Sequence, residues 1–113
     1  MQILEEPIKL SELKLMAEKM FGNLVKGVVD IERGVVAVDG EMHSDLAEVL
    51  VVSGSQGINL WGFDVYPEET TNAWLEFDSM INLKPLANNR IRGIADPIIR
   101  EQAEAIIKKF ILR

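Results

Sequence analysis

The chain has 113 residues, a formal net charge of −6 and a pI near 4.8. Without cysteine, it is excluded from disulfides, thiolate metal sites, iron–sulfur clusters and cysteine nucleophiles, and its acidity disfavours nucleic acid as a partner. One globular domain over residues 1–113 is expected, with no apolar run long enough for a membrane span or signal peptide, hence a cytoplasmic protein of prokaryotic size.

Gln2–Leu4 suits a short edge strand ended by Pro7. Ser11 then stands as an N-cap. Leu13, Met16, Ala17, Met20 and Phe21 recur at helical spacing, and Gly22 provides the stop. Leu24–Asp39 alternates as a β-hairpin broken at Arg33-Gly34. A two-residue turn there pairs Ile31 with Val36 and Val29 with Val38; a three-residue turn with a bulge at Gly34 fits nearly as well. The wet face of this hairpin carries Lys26, Asp30 and Glu32. Ser44 is placed to cap a second helix, Asp45–Ser53, with Leu46, Val49 and Leu50 as its dry stripe.

Ile58–Lys84 predicts a second, longer hairpin connected by the polar stretch Pro67–Asn72. Pairing Val65 with Ala73 sets Phe63 against Leu75 and Trp61 against Phe77. It also lets the polar pair Asn59 and Ser79 meet on the dry face. Leu86–Ala95 is a loop. Asp96-Pro97 opens the last helix as N-cap and first residue, and Ile99, Ala103, Ile106, Ile107 and Phe110 form its buried stripe. The predicted fold is α+β: a mostly antiparallel sheet of four to five strands, built from two hairpins, with about three helices packed on one face. The other face is left open.

The strings VKGVVDIERG, GEMHSDLAEVL, GSQGINLWGFDVYPEE and WLEFDSMINLKP…NNR cover nearly the whole chain. In them the sequence resembles an uncharacterised family of short prokaryotic proteins, a domain of unknown function. The resemblance implies a complete, stand-alone domain. It carries over no activity.

Candidate site residues therefore come from their chemistry. Asp64, Glu76 and Asp78 share the open face, and carboxylates on neighbouring strands can hold Mg²⁺ or Mn²⁺. Their expected spacing of about 7–8 Å is loose for one ion, and Asp78 stands where a nuclease pattern needs lysine. Solvated cross-strand pairing with Lys26 and Lys84 is the plainer account. Around the turn Asn88-Asn89, the arginines Arg90 and Arg92 make a locally basic loop that suits a small anionic ligand, or the protein's own carboxylates.

His43, the only histidine, is a candidate base beside Asp45 and the serines 44, 53 and 55, though no nucleophile elbow accompanies it. By default it is a surface residue near a helix start. Leu60, Tyr66, Trp74 and Met80 on the open face would make an apolar patch suited to a homo-oligomer or a partner groove. The sequence thus points to a small soluble binding or interaction domain with no cofactor. The alternative is a metal-dependent hydrolase or nuclease using Asp64, Glu76 and Asp78.

Overall fold

A computed structural model describes residues 1–113. The chain runs β1 (Gln2–Ile3), β2 (Ile8–Lys9), α1 (Leu10–Lys19), β3 (Val25–Asp30), β4 (Val35–Val38), α2 (His43–Val52), β5 (Leu60–Val65), β6 (Leu75–Glu76), α3 (Pro97–Phe110) and β7 (Ile111–Leu112). The alternating aliphatic strands form a five-stranded sheet in the order β1-β4-β3-β5-β6, antiparallel throughout. A parallel pairing of β2 with β7 ties the two chain ends together. The fold is α+β and mostly antiparallel, as the sequence predicts.

The helices are not all on one face, which corrects the expected layering. Helices α1 and α3 cover one side, where Val29, Val36, Trp61, Phe63 and Val65 meet Leu13, Ala17, Ala103 and Ile107. Helix α2 packs on the other. Its Leu46 and Leu50 bury Val28, Ala37 and Leu60 in a second, smaller core. Val28, Ala37 and Leu60 sit at strand positions of the predicted wet face, and their lack of charge is what α2 exploits.

Both hairpins are shifted by two residues from the expected registers. Val29 pairs with Val36, not Val38, because Asp30 caps a longer turn. Its Oδ1 accepts from the N–H groups of Glu32 (2.9 Å) and Arg33 (3.0 Å), and Gly34 turns at a positive φ of 68°. Val65 pairs with Leu75, not Ala73, after a single helical turn at Asn72–Trp74. A shift of two preserves which side chains face which way, so alternation could not detect it.

After Glu76 the chain leaves the sheet, although its sequence continues to alternate. The next pair in register would set Gly62 against residue 78. Instead the Asn82 carboxamide meets Gly62: Oδ1 accepts from the Gly62 N–H (2.7 Å) and Nδ2 donates to the Gly62 carbonyl (3.0 Å). Nδ2 also donates to the Arg92 carbonyl (2.8 Å). Asn89 completes the loop. Its Nδ2 donates to the carbonyls of Asn82, Ile91 and Gly93, and its Oδ1 accepts from the Ala95 N–H. The last helix begins as predicted, with Asp96 Oδ1 accepting from the Ile98 N–H (2.9 Å) and Pro97 at the first turn.

Replacing Asn82 with alanine strands the N–H and carbonyl of Gly62 in a buried setting, while the Arg92 carbonyl keeps the Ser79 N–H. We expect Asn82→Ala to cost about 2–4 kcal/mol, since each buried orphan group costs about 1–3 kcal/mol. Urea unfolding measures this, and hydrogen exchange at the Gly62 amide should accelerate. A loss under about 1 kcal/mol would mean that water replaces the carboxamide.

Candidate functional site

Strand pairing places three charged residues in one row across the sheet. Lys26 of β3 stands opposite Asp64 of β5, and Asp64 stands opposite Glu76 of β6. All three lie on the face that α2 covers only in part. Helix α2 sits over Val28 and Leu60, two and four residues from that row along their strands, and its first residue is His43. The uncovered end of this face is a cleft of about 370 Å³ lined by Lys26, Asp64, Tyr66, Glu76, Asp78 and Arg92, among others.

One wall is the start of α2, contributed by Met42, His43 and Ser44. The helix begins at His43, two residues before the expected start, so Ser44 lies inside the first turn and does not cap it. His43 is buried, and its Nε2 lies 2.9 Å from the Phe63 carbonyl and 3.1 Å from Asp64 Oδ1. Two acceptors fix the proton on Nε2. The bond is directed at Phe63, which leaves the enclosed Asp64 Oδ1 without a hydrogen bond. The sequence pattern that made His43 a surface residue missed this, because the helix starts early and turns the ring inward.

Gly62 is what lets the walls close in. A Cβ there would lie 2.6 Å from Ser79 Cβ and 3.2 Å from His43 Cδ2. The opposite wall is the turn Ser79–Ile81, held because the Ser79 N–H donates to the Arg92 carbonyl (3.0 Å). That same carbonyl is bonded by Asn82, so Arg92 is fixed beside the cleft. Its Nε donates to Asp78 Oδ1 at 2.6 Å, in a partly exposed pair. At the rim, the Tyr66 hydroxyl donates to Glu76 Oε1 (3.1 Å). Burial pushes the Tyr66 phenol up to about 12, helped by that hydrogen bond and by the charges of Glu76, Asp64 and Asp78.

Of the residues singled out from sequence, the cleft gathers His43, Asp64, Tyr66, Glu76, Asp78 and Arg92. Trp74 is not among them. In the observed register it is Glu76 that faces Asp64, while Trp74 is buried in the larger core under the Arg113 guanidinium, 4.5 Å from its ring centre. Asn89 is buried and spent on loop carbonyls. Asn88 forms a left-handed turn at φ 55°. Both Asn88 and the exposed Arg90 lie outside the cleft lining. Leu60 is buried beneath α2, so the expected apolar patch does not form.

Sequence reasoning gave no site role to Lys26, Met42 or Ser79, which line the cleft; alternation placed Lys26 on the correct face, and only the sheet order brings it beside Asp64. No group of three carboxylate or imidazole side chains converges as a set that could hold a metal ion.

Fold and cleft together define a small antiparallel α+β domain whose sheet keeps one polar, solvent-facing cleft. No helix is long and apolar enough to cross a membrane. The chain belongs to the family described as "Protein of unknown function (DUF5674)", which matches residues 2–110, in agreement with the resemblance seen in the sequence. Comparison with curated proteins and with solved structures finds no match.

Tyr66 is the only tyrosine, so tyrosinate absorbance at alkaline pH reports on it alone. The native phenol should titrate near 12, against about 10 in denaturant. Because the folded-state value is the higher one, its contribution to stability is present below about pH 10 and is lost as pH rises toward the folded value. Glu76→Gln should lower the native midpoint part of the way. A native midpoint near the unfolded one would contradict the Tyr66–Glu76 geometry.

Proposed function

We propose that this domain binds a small polar molecule in the cleft between the start of α2 and the Ser79–Ile81 turn. The observation that carries this reading is Asp64. Only 7% of the residue is exposed, and its enclosed oxygen has no hydrogen bond. Asp30 is also buried and its Oδ2 is likewise without a partner, but its Oδ1 accepts two backbone N–H groups and builds a turn. Asp64 builds nothing comparable. A buried carboxylate whose nearest donor, His43 Nε2 at 3.1 Å, is directed at another acceptor costs stability, and such costs persist where a ligand offsets them.

The other expectations carry less weight. An anionic ligand rested on the loop arginines, but Arg92 is engaged by Asp78 and Arg90 stands apart from the cleft. A metal-dependent hydrolase needs the carboxylates to converge, and they do not gather as an ion-holding set. An interface between copies of the chain rested on Leu60, Tyr66, Trp74 and Met80, of which Leu60 and Trp74 are core residues. Cytoplasmic, prokaryotic residence belongs to this reading as an expectation of the sequence alone.

Two measurements test the proposal. Asp64→Asn should raise stability by about 1–2 kcal/mol, because it removes an unsatisfied buried charge. A fragment screen followed by backbone amide shifts should find molecules that perturb His43, Asp64 and Ser79 in the parent but not in Asp64→Asn. A loss of stability in that variant would make Asp64 a structural partner of His43. An empty screen at the cleft would remove the binding function.

A further inference from the structure

Resting on the cleft as a binding site, we infer that its ligand is an organic cation: a primary ammonium or guanidinium group carried on a short aliphatic stem. The charges in the cleft point this way. Asp64 and Glu76 are directly opposite on neighbouring strands, an arrangement of like charges that a sheet ordinarily avoids.

The protein's own cations are held elsewhere. Lys26 is in register with Asp64, yet its ammonium lies over the Phe21 ring, 5.3 Å from the centroid. Arg92 is committed to Asp78 at 2.6 Å. His43 directs its Nε2 proton to the Phe63 carbonyl. Asp64 therefore lies nine-tenths buried in the cleft lining, touched only at its enclosed Oδ1 by His43 Nε2 at 3.1 Å, beside a second carboxylate whose one donor is the Tyr66 hydroxyl.

A cation between Asp64 and Glu76 relieves the repulsion and gives donors to Asp64 Oδ2 and Glu76 Oε2, which no protein donor engages. An ammonium or guanidinium group supplies several donors at once. A divalent metal fits poorly, because no third ligand joins the pair. Apolar side chains close the rest of the cleft, with Leu24, Met42, Met80 and Ile81 along its lining. Met42 and Met80 are exposed and flexible, and such thioethers adapt to aliphatic chains. The ligand thus has a charged end for the strand row and an apolar body for the methionines.

The test uses three five-carbon probes on the full chain: n-pentylammonium, n-pentanol and pentanoate, with Mg²⁺ as a fourth. Binding is followed by backbone amide shifts. Pentylammonium should perturb Asp64, Glu76 and His43 and bind at least about tenfold more tightly than pentanol, with pentanoate weakest, as expected for a desolvated charge pair. Asp64→Asn and Glu76→Gln should each remove most of that preference. Because Glu76 is exposed, the second variant keeps the test sound if the first disturbs folding. Equal or tighter binding of pentanol or pentanoate at the same residues overturns the cation assignment while leaving the cleft as a binding site. Saturable Mg²⁺ binding at these residues also overturns it, in favour of a metal. Absence of all four probes from the cleft overturns it too, and the broader binding function then stands or falls with the fragment screen.

Discussion

One side-chain carboxamide stands in for a missing length of strand. β5 is an interior strand of the sheet, and all six of its residues are buried. Its peptide groups need partners on both edges, yet β6 supplies only two residues. Asn82 supplies the rest at Gly62, as donor and acceptor together. Backbone pairing there would have required residue 78 to remain in the sheet. Freed from that, the segment Phe77–Ala95 folds as a compact series of turns whose carbonyls are gathered by Asn82 and Asn89. The price is that two polar side chains must be buried with nearly all their hydrogen-bonding capacity used.

The cleft is a consequence of this substitution. A full-length β6 would extend the sheet past Gly62 and carry Asp78 away in a straight line. With the strand cut short, Ser79 packs against Gly62, Arg92 is drawn back by its carbonyl, and Asp78 meets its guanidinium. The opposite wall is set by where α2 begins. Because the helix covers Val28 and Leu60 but reaches only to His43, the Lys26–Asp64–Glu76 row stays open. Two independent local choices, a short strand and a short overlap, leave the same end of one sheet face uncovered.

Much of this fold was legible in the sequence, and the failures have specific causes. The stripes of α1 and α3, the alternation in β3 to β5 and the Asp96-Pro97 start follow from periodicity and capping, which are local. Registers were not legible, because a shift of two residues keeps every side chain on its face. Asp30 and Asn82 decide those registers through side-chain hydrogen bonds that no hydropathy pattern records. Trp74 was misplaced for the same reason, since the turn at Asn72–Trp74 rotates it into the core. The polar strand residues Asp64 and Glu76 were legible as lying on the sheet face away from the larger core, because charges at regular strand positions must face something other than that core. The basic loop was misleading, because Asn89 looks like turn chemistry and serves as buried scaffolding.

The treatment of charge separates scaffold from site. Asp30, Asn82 and Asn89 are buried polar residues, and each receives or donates several hydrogen bonds to backbone groups. Asn82 and Asn89 satisfy the rule that buried polarity must be paired, and Asp30 satisfies it at Oδ1 while its Oδ2 stays unpartnered. Asp64 accepts no backbone N–H at all, and the polar atom nearest its enclosed oxygen is His43 Nε2 at 3.1 Å. The Lys26 ammonium stands in register with Asp64 and yet lies over the Phe21 ring, 5.3 Å from its centroid. A lysine placed on the carboxylate would satisfy the charge permanently and close the cleft to any competing cation. With Lys26 on the ring, the Asp64 carboxylate keeps only its contact with His43, and the row of opposed carboxylates stays uncovered at the cleft.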